Sequence, residues 1–270
     1  MPNPLRLMCV LAHPDDETFG TGGLLLHSAA QGVETSLICA TRGERGWHGS
    51  PETHPGLEAL GRIREAELRA AVHLLGLREA HFLDYVDGDL DQADPAEAAG
   101  RIARRLRQVR PQVVVTMSPD GYYGHPDHIA ISQFTQAAVT IAADPTYPGL
   151  EALPPHRVSK LYYSVDSQKL VEFIHARFGV VYNMPVDGVE RQHVGWAEWA
   201  ITTRLDVRAH WRRVVAAGRC HQSQHADYGP LLDQPNEVQE QLWGTANLYR
   251  VFSLVNGGRQ VEHDLFEGLR

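Results

Sequence analysis

A mostly parallel α/β fold with helices on both faces of the sheet is predicted from three features of the sequence. Short apolar runs alternate with helix-patterned segments through the first half of the chain, the order that gives a parallel sheet with crossover helices. One helix-patterned segment, "LEALGRIREAELRAAVHLLG", carries Leu60, Ile63, Leu68, Ala71 and Leu75 near helical spacing. The run "QVVVTM" is rich in β-branched residues and bounded by Pro111 and Pro119, as a buried strand should be.

In chain order, "LRLMCVLA" reads as the first strand, and a helix is expected from Gly22 to about Gln31. "VETSLICAT" is the second strand, followed by the loop "RGERGWHGSPETHPG" and the long helix above. "AHFLDY" is a third strand, and "PAEAAGRIARRLRQVR" a second long helix with Pro95 suited to its first turn. After "QVVVTM" another helix begins at Pro126, and "KLYYSV" is a fifth strand. From about residue 167 the pattern loosens. Residues 178–203 read as an insertion or a substrate-covering loop, 206–220 and 236–243 as helices, and "LYRVFSLV" as a late strand. With no repeat and no clear linker, the expectation is one domain over 1–270, a Rossmann-like three-layer fold with a less regular C-terminal part.

Hydrophobic residues make up 43% and charged residues 21% of the 270, which is ordinary globular usage. The net charge of −8 argues against a nucleic-acid partner, which needs a basic face. Cys9, Cys39 and Cys220 are too few and too scattered for a disulfide framework or a CxxC site. No apolar run reaches membrane-spanning length, and a soluble, cytoplasmic protein without a membrane partner is the expectation.

The chemistry concentrates at two strand ends. "VLAHPDDETFGTGG" places His13, Asp15 and Asp16 directly after the first strand, and "SPDGYYGHPDHIA" places His125 and His128 after the fourth. In open α/β sheets ligands bind beyond the carboxyl ends of strands. Either motif alone also reads as a helix start, where acidic residues are favoured; finding both at strand tips makes coincidence a poor explanation. Three histidine and carboxylate ligands with an open position are the make-up of a catalytic zinc site. His13 and Asp16 can supply two ligands. One of His125 and His128 completes the set while the other stays free for substrate.

"AHPDDE" followed later by "GHPDH" resembles the LmbE/PIG-L family of metal-dependent N-deacetylases. The resemblance runs from about Leu5 to Ala137 and takes in "TRGERG", the Arg64 helix and "DYVDG", and more weakly "RCHQSQ" from Arg219 to Gln224. It implies His13, Asp16 and His128 as zinc ligands and Asp15 as general base. His125 would stabilise the tetrahedral intermediate or protonate the leaving amine, and Asp127 would tune His125. The implied substrate is an N-acetylated glucosamine-type small molecule, and Arg64, Asp87 and His221 are candidates to contact it. Many members of the family are oligomers, which leaves a homo-oligomer open.

The chemistry fits this assignment. Zinc lowers the pKa of water to about 7, and a neighbouring carboxylate can take its proton. His125, as imidazolium, would offset oxyanion charge. A His₂Asp site also accepts ferrous iron or another divalent ion.

Other readings stay alongside. Arg64 is equally a solvated helix arginine, Asp87 an acidic loop residue, and Glu17 either orients a ligand from behind or caps the following helix. Trp47, Tyr122 and Tyr123 flank the site, where aromatics stack on sugars, although packing is their commoner fate. The glycines after Phe19 do not make G-x-G-x-x-G, since position 25 is Leu; they read as close packing behind the metal site. The aspartates at 87, 89 and 91 lack the glycine of an EF-hand loop, position 92 being Gln. Two rival functions remain: an amidase cleaving a thiol–sugar conjugate, and a non-catalytic sugar-binding module. An intact Asp15 argues against the second.

Overall fold

The structure, a computed structural model, describes residues 4–179, 183–186, 188–258 and 260–270. Its strands are β1 (Arg6–Leu11), β2 (Glu34–Thr41), β3 (Glu79–Tyr85), β4 (Val113–Thr116), β5 (Lys160–Val165), β6 (Asn183–Val186), β7 (Val189–Gln192), β8 (Thr203–Asp206) and β9 (Thr245–Ser253). The helices are α1 (Asp16–Phe19), α2 (Gly22–Ala30), α3 (Leu57–Leu75), α4 (Pro95–Val109), α5 (Gly121–Gly124), α6 (Pro126–Ala143), α7 (Gln168–Phe178), α8 (Trp211–Gly218), α9 (His225–Leu232) and α10 (Asn236–Trp243).

Seven strands form one sheet in the order β3-β2-β1-β4-β5-β9-β8. The first five run parallel, with Cys9 opposite Leu37 on one side and Val115 on the other. β9 then pairs antiparallel with β5, and β8 antiparallel with β9. The predicted mostly parallel three-layer fold is therefore present, closed at one edge by an antiparallel pair. Leu7, Cys9, Val10 and Leu11 are fully buried, because a parallel strand is covered on both faces and reads as a continuous apolar run.

Most predicted elements lie where the sequence put them. α4 is capped by Asp94, which accepts the Glu97 N–H at 2.9 Å, with Pro95 in the first turn. In α3, Leu60, Leu68, Ala71 and Leu75 face the core, whereas Ile63 is exposed. The helix expected over 206–220 starts only at Trp211, after the single turn Arg208–His210. Within 178–203 lies the hairpin β6–β7, while residues 180–182 and 187 fall outside the described residues. Among the described residues no helix is long and apolar enough to cross a membrane.

The strand order reverses between β1 and β4: the chain passes from β1 out to β2 and β3, then returns to β4 and β5. That topological switch point opens a crevice at the carboxyl ends of the two strands. Both histidine motifs sit there.

Candidate active site

Each motif is shaped by how its strand ends. After β1 the chain turns at once into α1, and Asp15 adopts φ 111°, ψ −31° at the helix start. Asp15 pays for this left-handed backbone with two anchors: its N–H donates to Glu17 Oε2 at 2.8 Å, and its Oδ2 accepts from Arg64 Nη2 at 3.0 Å. After β4, Pro126 starts α6, and His125 caps it by accepting the Asp127 N–H on Nδ1 at 3.1 Å.

His13, Asp16 and His128 come together as the sequence predicts. His13 Nδ1 lies 3.2 Å from His128 Nε2. Asp16 Oδ2 is 3.8 Å from that His13 nitrogen, and Asp16 Oδ1 is 3.6 Å from His128 Nε2. The partners of the outer nitrogens fix the tautomers. His13 Nε2 faces Asp127 Oδ2 and Asp87 Oδ1, both at 3.1 Å, so it carries the proton and Nδ1 presents a lone pair. His128 Nδ1 donates to the Gly121 carbonyl at 3.3 Å, leaving the Nε2 lone pair inward. Two imidazole lone pairs and a carboxylate thus converge, all donor atoms within 4.8 Å of one another. Nothing but a cation or a proton reconciles such a donor set, and it fits a divalent ion. The carboxylates behind His13 keep it basic, as they do behind metal-bound histidines. His13, His125 and Asp127 meet the same distance limit, but there Asp127 Oδ2 already accepts the Gly88 N–H at 2.7 Å.

Burial dominates the electrostatics. It pushes the Asp15 carboxyl up to about 7, against the opposing pull of Arg64, and raises Asp16 too. It pushes His125 and His128 down to about 3, with the neighbouring His13 acting in the same direction. Glu17, fully buried, is nonetheless held below its usual range, because His221 and Thr18 outweigh burial.

Four expected roles meet different surroundings. The Asp127 carboxylate pairs with His13 rather than with His125, on which it acts only through its charge and its backbone N–H. It accepts from Gly88 N and Leu90 N while its Oδ2 faces His13, because the first turn of α6 aims it at the loop after β3. Arg64 is no solvated arginine; it is 3% exposed and also donates to Gly43 O at 2.8 Å and Pro14 O at 2.7 Å. A Cβ on Gly43 or Gly46 would overlap its guanidinium, which explains the glycines of "TRGERG". Asp87 is tied to His13 and to the Arg45 N–H at 3.0 Å. His221 is buried behind the site, 2.8 Å from Glu17 Oε1, and does not line the cavity.

A cavity of about 710 Å³ opens above the donor set, lined by His13, Asp15, Asp16, Arg64, Asp87, His125 and His128. Tyr122 and Tyr123 line it as well, whereas Trp47 turns away, bonding to Ser50 O at 3.0 Å. The sequence reading missed Arg45, His48, Asp166 and Asp227 on its walls, and the apolar residues of α7, α9 and α10. Arg45 lies in "TRGERG", where nothing singles it out; the others belong to no motif, and tertiary packing alone brings them here. The glycines after Phe19 do pack closely: a Cβ on Gly23 would stand 2.7 Å from Val207 Cγ2.

A donor set of two histidines and one aspartate at a sheet's switch point, with a second carboxylate beside it, is the equipment of a metal-dependent hydrolase. Comparison with known proteins carries this further. The family model PIG-L, GlcNAc-PI de-N-acetylase, matches residues 8–139. A 1D-myo-inositol 2-acetamido-2-deoxy-alpha-D-glucopyranoside deacetylase of Thermobispora bispora is 33% identical, over 98% of this chain and 98% of its own. The chain belongs to the PIG-L/LmbE family and is an N-deacetylase. Among solved structures, a conserved protein of Thermus thermophilus is 26% identical, with a TM-score of 0.66 over 94% of this chain and 97% of its own. The N,N'-diacetylchitobiose deacetylase of Pyrococcus horikoshii superposes with a TM-score of 0.68 over 91% and 83%, and at 19% identity shares the fold.

Proposed function

We propose that this protein hydrolyses the acetamide of an N-acetylglucosamine-type substrate, with a divalent ion, zinc foremost, held by His13, Asp16 and His128. The observation that carries the reading is the convergence of the facing His13 and His128 ring nitrogens and the Asp16 carboxylate beside Asp15. The relatives named as deacetylases of a glucosaminyl inositol support the substrate class and favour it over a conjugate amidase or a non-catalytic module.

When bound, such an ion supplies Lewis acidity to the amide carbonyl and acidifies water. The chain's own groups do the rest. Asp15 takes the proton from the attacking water: Arg64 holds its Oδ2, leaving Oδ1 for the proton. Glu17 anchors the Asp15 backbone N–H and Arg64 the Pro14 carbonyl and the Asp15 carboxylate, which keeps the base in place without rearrangement. His125 accepts a backbone N–H on Nδ1, so in its neutral form Nε2 bears the proton and can donate to the oxyanion. Burial disfavours an imidazolium there, so a neutral donor replaces the charged one expected from sequence. Asp127 and Asp87 fix the orientation of His13.

The test is acetate release from N-acetylglucosaminides by chelated and zinc-restored protein, beside Asp15→Asn. Zinc-dependent release that falls about 10²–10⁴-fold in Asp15→Asn, with metal content unchanged, is the expected result. Normal turnover by a zinc-replete Asp15→Asn protein would remove the base assignment.

A further inference from the structure

The strand order divides the cavity into two limbs. β2 and β3 lie on one side of the β1–β4 switch point, and β5 and β9 on the other. Beyond β2 and β3 the walls are polar, with Arg45, His48 and Asp87 lining them. Beyond β5 and β9, whose Val165 and Asn247 pair and both line the cavity, the walls are of another kind.

There α7, α10 and the far end of α9 form an apolar cluster separate from the main core, centred on Ile174, Leu231 and Leu242, with Leu170, Tyr228 and Trp243 packed against it. The near end of α9 reaches the polar side, where its Asp227 pairs with His48 at 3.2 Å. All six side chains of the cluster line the cavity. This second cluster encloses open space at the active site.

We infer that this limb is an acyl pocket, and that the enzyme hydrolyses glucosaminides whose amide bears an alkyl chain of about four to eight carbons. The inference rests on the proposed amide hydrolysis and extends its substrate class. A scissile amide at the donor set has two halves. The polyhydroxylated amine half matches the polar limb, and the acyl half then faces the apolar one. An acetyl group ends in one methyl and has no use for six apolar side chains contributed by three helices. The whole cavity falls in the size range of sites that enclose ligands of some 300–1,000 Å³. Ser164, Asp166 and Thr245 put polar groups at the strand-end edge of the limb, and Asn247 Oδ1 is buried there without a hydrogen-bond partner, so a hydroxyl on the acyl chain is accommodated too. The reaction balances as ordinary amide hydrolysis: the C–N bond breaks, the water oxygen joins the acyl carbon, and the amine leaves with a proton.

The experiment uses the zinc-loaded full chain and methyl glucosaminides carrying N-acetyl, N-butyryl, N-hexanoyl or N-octanoyl groups, with free amine as the readout. Each methylene buried is worth about fourfold, so kcat/KM for hexanoyl is expected to exceed that for acetyl by at least about tenfold. Filling the limb with Ile174→Trp, or separately Leu231→Phe, should lower the hexanoyl-to-acetyl ratio about tenfold or more. The substrate series on the unmodified protein decides the matter even if a variant fails to fold. Cleavage of the acetyl compound with a steady fall at each longer chain overturns the acyl pocket and leaves the deacetylase reading standing. Faster cleavage of N-acetyl octyl glucosaminide than of the N-hexanoyl methyl compound assigns the limb to the aglycone and overturns the inference. Cleavage of none removes both readings.

Discussion

Replacing Arg64 with methionine removes the hydrogen bonds to Gly43 O, Pro14 O and Asp15 Oδ2 while filling much of the same space with a flexible apolar side chain. The two side chains of the ion pair are 4% and 9% exposed, so little solvent can replace the lost guanidinium. Removing one partner of a buried pair costs about 3–5 kcal/mol. For a chain of 270 residues, about 2 °C of melting temperature is lost per kcal/mol, which gives a fall of roughly 6–10 °C. A second effect is expected: Asp15, at φ 111°, loses the clamp on its carboxylate, so kcat falls more than KM rises. Differential scanning calorimetry and steady-state kinetics on Arg64→Met read both quantities. An unchanged melting temperature with a raised KM and a normal kcat would refute this and restore the sequence-level expectation that Arg64 binds a sugar hydroxyl.

Further outcomes follow from other contacts. Asp127→Asn weakens the hold on His13, and metal affinity should fall about 10–100-fold in a competition titration with a chromogenic chelator. Glu262 lies in a buried cluster where hydrogen bonds from Asn256, Lys160, Tyr162 and Thr203 outweigh the effect of burial and hold its carboxyl down at about 2. With its folded value below the ordinary 4.5, it binds a proton more readily when unfolded. Its stabilisation is complete above about pH 4.5 and disappears as pH falls toward 2. Urea midpoints across that window should fall steeply for the parent and less so for Glu262→Gln, whose stability is already lower at pH 7. Burial pushes the Cys9 thiol up to about 12 and raises Cys39 well above the usual thiol range. A thiol reagent at neutral pH should therefore label Cys220 at most in the native protein, and all three cysteines after unfolding.

How much of this was legible in advance depends on the range over which each feature is determined. The β-α alternation is local, and hydrophobic runs such as "LMCVL" revealed it. The donor set was legible because each half is a short motif and the strand-tip rule brings the halves together. Arg64 was ambiguous because α3 carries Arg62, Arg64 and Arg69, and only the close approach of Gly43 and Gly46 buries one of them. Asp127 was assigned to its sequence neighbour His125, yet the helix start turns its carboxylate toward Gly88 and Leu90. His221 reaches Glu17 across 204 positions, a distance no local pattern encodes. The acyl limb was invisible for the same reason: its walls come from three short helices in the part of the chain with the weakest periodicity.

The switch point has a mechanical consequence as well as a chemical one. His13 and His128 are 115 positions apart in the chain, and only the pairing of β1 with β4 makes them neighbours. An ion gripping both would act as a cross-link that closes most of the parallel half of the sheet into a single ring. In a chain-entropy treatment, a ring of that size is worth about 4–5 kcal/mol when closed covalently, and a tightly bound ion stabilises the native state by mass action on top of any catalytic role. Metal loading would then set the lifetime of the folded enzyme together with its rate, and β1 and β4 would exchange their amide protons faster in metal-stripped protein than in loaded protein.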